Sequence, residues 1–140
     1  MSHPIRDVRR RLLADHSSVV AEVDRCADAV ADPWDTARTA DRAALVDGLR
    51  TALESEGVLE RLPTVLADAV DATGHDLEAR PVPGPPYVVV TSRGPLLRAT
   101  IDPGRLVIRF DVFEVIRNAE PGRRVTYRRR DGVELAIGLE

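Results

Sequence analysis

Arginine is the main side chain with which this sequence could do chemistry, because all 20 of its basic residues are arginine and none is lysine. Arginine holds carboxylates and phosphates through paired hydrogen bonds and stacks on aromatic rings, so this composition favours recognition of anionic groups. The lack of lysine excludes Schiff-base catalysis and a phosphate-binding loop of the usual kind. Codon usage in a GC-rich genome is the simpler explanation of the arginine content.

The candidate binding site lies in the C-terminal half of the chain. If strand residues alternate between two faces, one face collects four arginines and one aromatic ring: Arg98, Arg109, Arg124, Arg128 and Phe113. Such a face could neutralise phosphates and stack bases, or it could hold an acidic protein surface. Asp111 and Glu134 fall on the same face and could pair with the arginines, which would make the face a solvated scaffold surface. All three interpretations stay open at this point.

The remaining titratable residues form no catalytic signature. His16 and Cys26 share one apolar helical stripe and are expected to be buried, and ten residues of helix hold them about 15 Å apart, too far for a nucleophile and its base. Carboxylates at helical spacing, such as Asp24 and Asp28, could bind a divalent cation but are expected to be solvated. We therefore expect no catalytic residue, no metal and no cofactor, and we favour a non-enzymatic protein.

The elements that must position the arginines change type at a proline-rich junction, residues 81–86. Residues 1–80 have helical periodicity, whereas residues 85–140 have strand and turn composition. A length of 140 residues is typical of one domain, here residues 1–140. The sequence predicts an α+β fold in which about three N-terminal helices pack on one face of a C-terminal antiparallel meander of four or five strands.

Apolar periodicity and capping residues place the boundaries of the predicted elements. Three helices are expected, namely Pro4–Ala31, residues 33–57 with Asp32 as N-cap, and Val58–Thr73. Five strands are expected, namely Tyr87–Ser92, Leu96–Ile101, Leu106–Arg117, Arg123–Arg129 and Val133–Leu139. Asp131-Gly132 predicts a two-residue hairpin turn between the last two strands.

One segment carries a resemblance to known proteins. The sequence resembles small uncharacterised proteins of halophilic archaea, a domain of unknown function. The resemblance rests on a segment of helical periodicity that contains Leu62-Pro63, followed by the run from Pro85-Pro86-Tyr87-Val88-Val89-Val90 to Leu97-Arg98-Ala99-Thr100. The resemblance covers most of the chain, with the hairpin as its most specific segment. It implies no activity.

Composition and charge complete the functional expectation. Residues 1–80 hold 10 arginines against 16 carboxylates, and residues 81–140 hold 10 against 7, so the sheet half is the basic half. We expect a small soluble protein-binding or adaptor module with an acidic protein partner, and the alternative is a nucleic-acid-binding accessory domain. The apolar and alanine-rich faces of helices 1 and 2 predict a homodimer through those helices.

The same composition sets the expected location. The sequence has no run of about 18 apolar residues and no apolar region of the signal-peptide kind near its first residues. Its single cysteine, Cys26, excludes an internal disulfide framework. We therefore expect a cytoplasmic protein without a membrane partner.

Overall fold

The protein is described here by a computed structural model covering residues 3–102, 104–117 and 125–140. In these ranges the chain forms four helices: α1 (Pro4–Asp15), α2 (Ser17–Ala31), α3 (Arg42–Ser55) and α4 (Val58–Ala72). It also forms five strands: β1 (Arg38–Thr39), β2 (Val88–Val90), β3 (Pro95–Ile101), β4 (Gly104–Ile116) and β5 (Thr126–Leu139). The predicted α+β class is confirmed, with four helices rather than about three.

The strands form one antiparallel sheet in the order β1-β5-β4-β3-β2. Strands β2 to β5 make the predicted meander, and the short β1 pairs with the far side of β5. Alternation along β4 points Leu106, Ile108 and Phe110 into the core, where each is at most 1% exposed. Helices α1, α2 and α4 pack directly on the sheet from this inner side. No element within the described ranges covers the outer face.

The first predicted helix is two helices, because the chain breaks at His16. The backbone of His16 leaves the helical region, with φ −127° and ψ 24°. Its N–H donates to the Leu12 carbonyl, which ends α1, and its carbonyl accepts from the Val19 and Val20 N–H groups, which begins α2. Histidine followed by two serines has weak helical propensity, since serine prefers positions at helix starts. A continuous apolar stripe therefore did not require a continuous helix.

The second predicted helix begins later than its capping residues indicated. Pro33 is not in a helix, and α3 starts at Arg42 with Asp41 as its N-cap, the Asp41 carboxylate accepting from the Ala44 N–H at 3.0 Å. The intervening segment carries Trp34 into the core region and supplies β1 to the sheet. A long-range strand pair has thus overridden the local preference of Asp32-Pro33 for a helix start.

The third predicted helix is confirmed as α4, which ends at Ala72. It begins after Gly57 and is followed by Gly74, and both glycines have positive φ, the backbone conformation that glycine adopts without steric cost. Helix α4 contributes eight buried residues, more than any other described helix. None of the helices in the described ranges combines the length and the apolarity needed to cross a lipid bilayer.

The last two predicted strands are one strand, β5. Asp131-Gly132 makes no hairpin turn; the segment 130–133 bulges out of β5 while its flanks stay paired with β4. Asp111 is opposite Glu134 and Phe113 is opposite Arg129, so only Val112 on β4 faces the bulged segment. Gly132 supplies the single positive φ that this bulge needs. A two-residue turn of the predicted type would require positive φ at Asp131 as well.

Candidate functional site

Three arginines lie together on the outer face of the sheet. Arg98 on β3 is directly opposite Val107 on β4, and Arg105 and Arg109 lie two residues before and after Val107 on the same face. Arg98 is therefore the diagonal neighbour of both, at Cα separations of about 7–8 Å. We call Arg98, Arg105 and Arg109 the arginine cluster.

Sequence reasoning identified Arg98 and Arg109 but missed Arg105. The predicted strand begins at Leu106 and omits Arg105, whereas β4 begins at Gly104 and so includes it. The signal was present in the alternation itself, because Arg105, Val107 and Arg109 occupy every second position. Extending the predicted strand by one residue places all three arginines on one face.

The guanidinium groups of the cluster are only partly engaged within the chain. Arg98 donates from Nε to the Pro86 carbonyl at 3.0 Å. Arg109 lies 3.4 Å from a carboxylate oxygen of Asp111, and its side chain is 45% exposed. Within the described ranges, Arg98 and Arg105 form no ion pair. The cluster can therefore accept an external anion.

Aliphatic side chains lie between and beside these arginines. Leu96 is opposite both Val89 on β2 and Arg109 on β4, so the cluster borders an apolar row. The outer-face aliphatic residues of the four meander strands are all half-buried rather than fully exposed: Val89, Leu96, Val107, Ile116 and Ala136. An exposed antiparallel face usually carries polar residues, so this mixture of arginine and aliphatic groups is more typical of an interface.

Asp111 lies at the edge of the cluster and is buried. It is 6% exposed, and its Oδ1 atom has no hydrogen-bond partner among the described residues. Burial raises the pKa of the Asp111 carboxyl, and the nearby charges of Arg109, Arg93 and Arg130 only partly oppose that shift. Asp111 therefore borders the cluster as a buried carboxyl rather than as a solvated one.

Arg128 lies apart from the cluster. It is opposite Glu114, five residues along β4 from Arg109, which corresponds to about 16 Å. Its Nε donates to Glu114 at 2.6 Å, while Arg130 contacts both Glu114 and Glu134. This part of the outer face is a network of paired charges, so the predicted single patch holding Arg98, Arg109 and Arg128 is wrong.

Phe113 is not on the outer face, contrary to the prediction. It is 0% exposed, and its ring lies 5.7 Å from the Trp34 ring, centroid to centroid, at 34° between the planes. The N–H groups of Val112 and Phe113 both donate to the Arg93 carbonyl, at 2.7 and 3.0 Å. Two residues opposite one carbonyl form a bulge, which reverses the alternation after Val112 and turns Phe113 inward.

The fourth predicted arginine, Arg124, lies outside the described residues.

Sequence reasoning also missed a structural arginine, Arg129, whose side chain is only 15% exposed. Its guanidinium pairs with Asp24 and Asp28 on α2 and donates to the Val112 and Gly132 carbonyls at 3.1 and 3.0 Å. Arg129 thus joins α2 to the bulge of β5. The spacing of Asp24 and Asp28 on one helix face is the signal for this contact in the sequence, but both carboxylates were expected to be solvated.

A groove of about 1020 Å³ adjoins the cluster where α4 is followed by the proline-rich junction. Arg98, Arg105 and Tyr87 line it, but so do four carboxylates: Asp76, Glu78, Asp102 and Glu140. Carboxylates outnumber arginines there, so the groove does not extend the anion-binding surface.

The other residues singled out from the sequence have structural roles. His16 Nε2 lies 2.8 Å from Asp68, which also accepts from Arg11 at 2.7 Å. Burial alone would raise the pKa of Asp68, but the hydrogen bonds with His16 and Arg11 outweigh it and lower that pKa. Cys26 is 2% exposed, as expected, and burial raises the pKa of its thiol. Within the described ranges no group of three or more His, Cys, Asp or Glu residues could hold a metal ion.

Comparison with known proteins identifies a domain family for this chain. Neither the curated proteins nor the solved structures contain a significant match to this chain. One family model, described as "Domain of unknown function (DUF7988)", matches residues 6–140, which include every described helix and strand apart from the first two residues of α1. The uncharacterised domain family expected from the hairpin segment is thus confirmed at that level: the chain belongs to the DUF7988 family.

Proposed function

We propose that this protein is a non-enzymatic protein-binding module that holds an acidic surface of a partner on the outer face of its sheet. One observation carries the proposal: the arginine cluster lies among half-buried aliphatic residues on a face that no described element covers. Arginine is enriched in protein interfaces, where its stem covers apolar surface and its guanidinium binds carboxylates in pairs.

An acidic protein fits this surface better than nucleic acid. Non-specific binding of single strands combines basic grooves with exposed aromatic rings on which bases stack. Phe113, the ring expected to supply that stacking, is buried against Trp34. The outer face therefore offers cations and aliphatic groups, a combination suited to carboxylates on a folded protein.

Two further expectations belong with this proposal. Self-association through the first two predicted helices, Pro4–Ala31 and residues 33–57, remains one of them. These helices form α1, α2 and α3, and the exposed apolar residues on α1 that a second copy could cover are Ile5 and Leu13, at 40% and 52% exposure. The other is a halophilic archaeal source in which the protein works in the cytoplasm, as the resemblance and the composition imply. Binding should accordingly be measured up to about molar salt, where only short-range contacts persist.

The test compares two polyanions by fluorescence anisotropy: labelled poly-glutamate and a random single-stranded oligonucleotide of matched charge. We expect poly-glutamate to bind more tightly. The double variant Arg98→Ser/Arg109→Ser should weaken that binding about fivefold to tenfold, from two exposed charge contacts at up to about 1 kcal/mol each. Stability should change by only a few tenths of a kcal/mol, as is usual for surface substitutions.

The matched control is Arg42→Ser/Arg50→Ser, which removes the same charge from exposed positions on α3. It should leave poly-glutamate binding unchanged. Tighter binding of the oligonucleotide, with a steep loss as salt rises, would favour the nucleic-acid alternative. An equal loss of poly-glutamate binding in the two double variants would show that only net charge matters. The outer face would then be a solvated surface of the scaffold and not a binding site.

A further inference from the structure

The outer edge of β5 lacks a neighbouring strand along most of its length. Strand β1 covers it only where Arg38 and Thr39 pair with Arg128 and Tyr127. From residue 129 to Leu139, no described residue forms a strand pair on that side. An unpaired edge presents backbone donors and acceptors on which another strand can form.

The backbone groups that point to this edge can be identified from the ladder. Glu140 exchanges both backbone hydrogen bonds with Arg105 of β4, at 2.9 and 3.0 Å. Because such pairs recur at every second residue of an antiparallel ladder, the residues between them direct their N–H and C=O groups the opposite way. Those residues are Leu135, Ile137 and Leu139.

Helix α1 runs beside the same edge and closes only part of it. Arg9 donates from Nη1 to the Leu135 carbonyl at 2.7 Å, which confirms that this carbonyl points away from β4. Beyond Leu135, the backbone groups of Ile137 and Leu139 have no backbone partner on this side among the described residues. The edge is therefore open at its C-terminal end.

A groove of about 550 Å³ lies at this open end, between the start of α1 and the end of β5. Its apolar residues are Pro4, Ile5 and Leu139, and Ile5 and Leu139 are 40% and 42% exposed. Its cations are Arg6 and Arg9, neither of which forms an ion pair with a described residue, and no carboxylate lines it. His3 completes the lining, so unlike the groove beside the arginine cluster this one combines apolar and basic residues without a carboxylate among the described residues.

We propose that this groove binds an extended acidic peptide segment of a partner protein, which pairs with the edge of β5 as an added strand. The peptide backbone would hydrogen-bond to Ile137 and Leu139. Its alternate side chains would place an apolar group against Ile5 and Leu139 and a carboxylate against Arg6 or Arg9. The surface is distinct from the arginine cluster, so a partner could occupy either one alone.

Charge favours an acidic peptide over a second copy of this chain. Two copies joined edge to edge through β5 would bring their two α1 helices to the same side of the joined sheet. Arg6 and Arg9 of each copy would then approach the same residues of the other, and like charges across an interface oppose association. A peptide with alternating Glu and apolar residues instead supplies the missing negative charge.

The probe is a short labelled peptide in which Glu and Val alternate, measured by fluorescence anisotropy against the full chain. One control peptide has Lys in place of Glu, and a second has N-methyl groups on alternate amides, which prevents strand pairing. We expect the Glu–Val peptide to bind at least about tenfold more tightly than either control, since charge attraction and backbone pairing both contribute.

The variants separate backbone pairing from apolar contact. Leu139→Pro removes an N–H that points to the open edge, a position where proline is tolerated in sheets, whereas Leu139→Thr removes only apolar contact. We expect Leu139→Pro to bind about threefold to tenfold more weakly than Leu139→Thr, the loss of one backbone hydrogen bond. Arg6→Ser should weaken binding about threefold, while Arg10→Ser, exposed on α1 but outside the groove, should not.

Several results would overturn the proposal. Equal affinities of the two Leu139 variants, or undiminished binding of the N-methylated peptide, would exclude strand addition. Loss of peptide binding in Arg98→Ser/Arg109→Ser with retention in Arg6→Ser would place the peptide on the arginine cluster instead. A dimer in the absence of peptide that Leu139→Pro dissociates would identify a second copy as the occupant of the edge.

Discussion

Asp111 shows at the scale of one residue how the outer face differs from a merely solvated surface. Its carboxyl is buried beneath arginines, and one of its oxygens has no hydrogen-bond partner among the described residues. Desolvation of an ionised group is unfavourable unless its partners compensate for it. The raised pKa of Asp111 means that Arg109, at 3.4 Å, does not fully compensate.

Replacement of Asp111 by Asn should therefore raise the free energy of unfolding at neutral pH. Because the folded state raises this pKa, the folded protein binds the proton more tightly. Wild-type stability then falls as pH rises from the unfolded pKa through the folded one. Asn does not titrate, so the variant should gain stability relative to the wild type as pH rises from the unfolded pKa of Asp111 through its folded pKa. Below the unfolded pKa this difference should vanish.

Urea unfolding at several pH values, followed by fluorescence of Trp34, the only tryptophan, measures this difference. Trp34 is a suitable reporter because its ring lies against the buried Phe113. A variant that is less stable at neutral pH, with a deficit that shrinks on acidification, would show instead that ionised Asp111 stabilises the fold through Arg109.

Residue alternation predicted the site only where the strands are regular. Arg98 and Arg109 lie on the predicted face because β3 and the first part of β4 alternate without interruption. Phe113 could not be placed from the sequence, because the bulge at Val112 depends on the Arg93 carbonyl of another strand connection. For Arg129 the spacing of Asp24 and Asp28 is a partial signal, but the pairing itself could not be predicted, since these partners on α2 are about a hundred residues away in sequence.

At the scale of elements, two predictions were wrong: a hairpin turn that is a bulge within one strand, and one long helix that is two helices. Asp131-Gly132 is typical of hairpin turns, yet β5 continues through it and the glycine serves a bulge. The stripe through His16 is typical of one long helix, yet the helix breaks where His16 bonds to Asp68. The continuation of β5 depends on its pairing with β4, which local composition does not contain. The break at His16 follows the local His-Ser-Ser sequence, to which the prediction gave less weight than to the apolar stripe.

Alanine substitutions distinguish the bulge from the hairpin turn. Gly132→Ala should lower the free energy of unfolding by about 1 kcal/mol, because Gly132 has φ +84° and alanine is strained there. Asp131→Ala should be nearly neutral, since no described non-glycine residue has positive φ. Gly138→Ala is the matched control: it too has open space for a Cβ, without a positive φ. Comparable losses for Asp131→Ala and Gly132→Ala would support the two-residue turn instead.

At the scale of the molecule, the composition change at residues 81–86 predicted the α+β arrangement correctly. Helical and strand periodicity are local signals, and the amphipathic pattern then requires one layer to cover the other. The same signals could not predict that Arg38 and Thr39 would pair with β5 at the sheet edge. Two residues carry no periodicity, and the strand with which they pair lies about ninety residues further along the chain.

The first two predicted helices, through which a dimer is expected, correspond to α1, α2 and α3 in the structure. Most of their large apolar residues are covered within one chain, which limits how a dimer could form through them. Val8, Leu12, Val19 and Val23 are at most 1% exposed, so they are not available to a second copy. Leu13, at 52% exposure, is the most exposed large apolar residue on α1. A helix-mediated dimer should therefore depend on Leu13 and bury little area, which is typical of weak, concentration-dependent association.

Light scattering over a range of concentrations measures that association. We expect the mass to rise from 15.4 kDa towards twice that value as concentration increases, and Leu13→Ser to abolish the rise. Val82→Ser is the matched control, because Val82 is 51% exposed but lies in the proline-rich junction, away from α1 and α2. It should leave the rise unchanged. A mass of 15.4 kDa at every concentration would exclude the helix-mediated dimer, and it would leave the arginine cluster and the edge of β5 as the two surfaces available for partners.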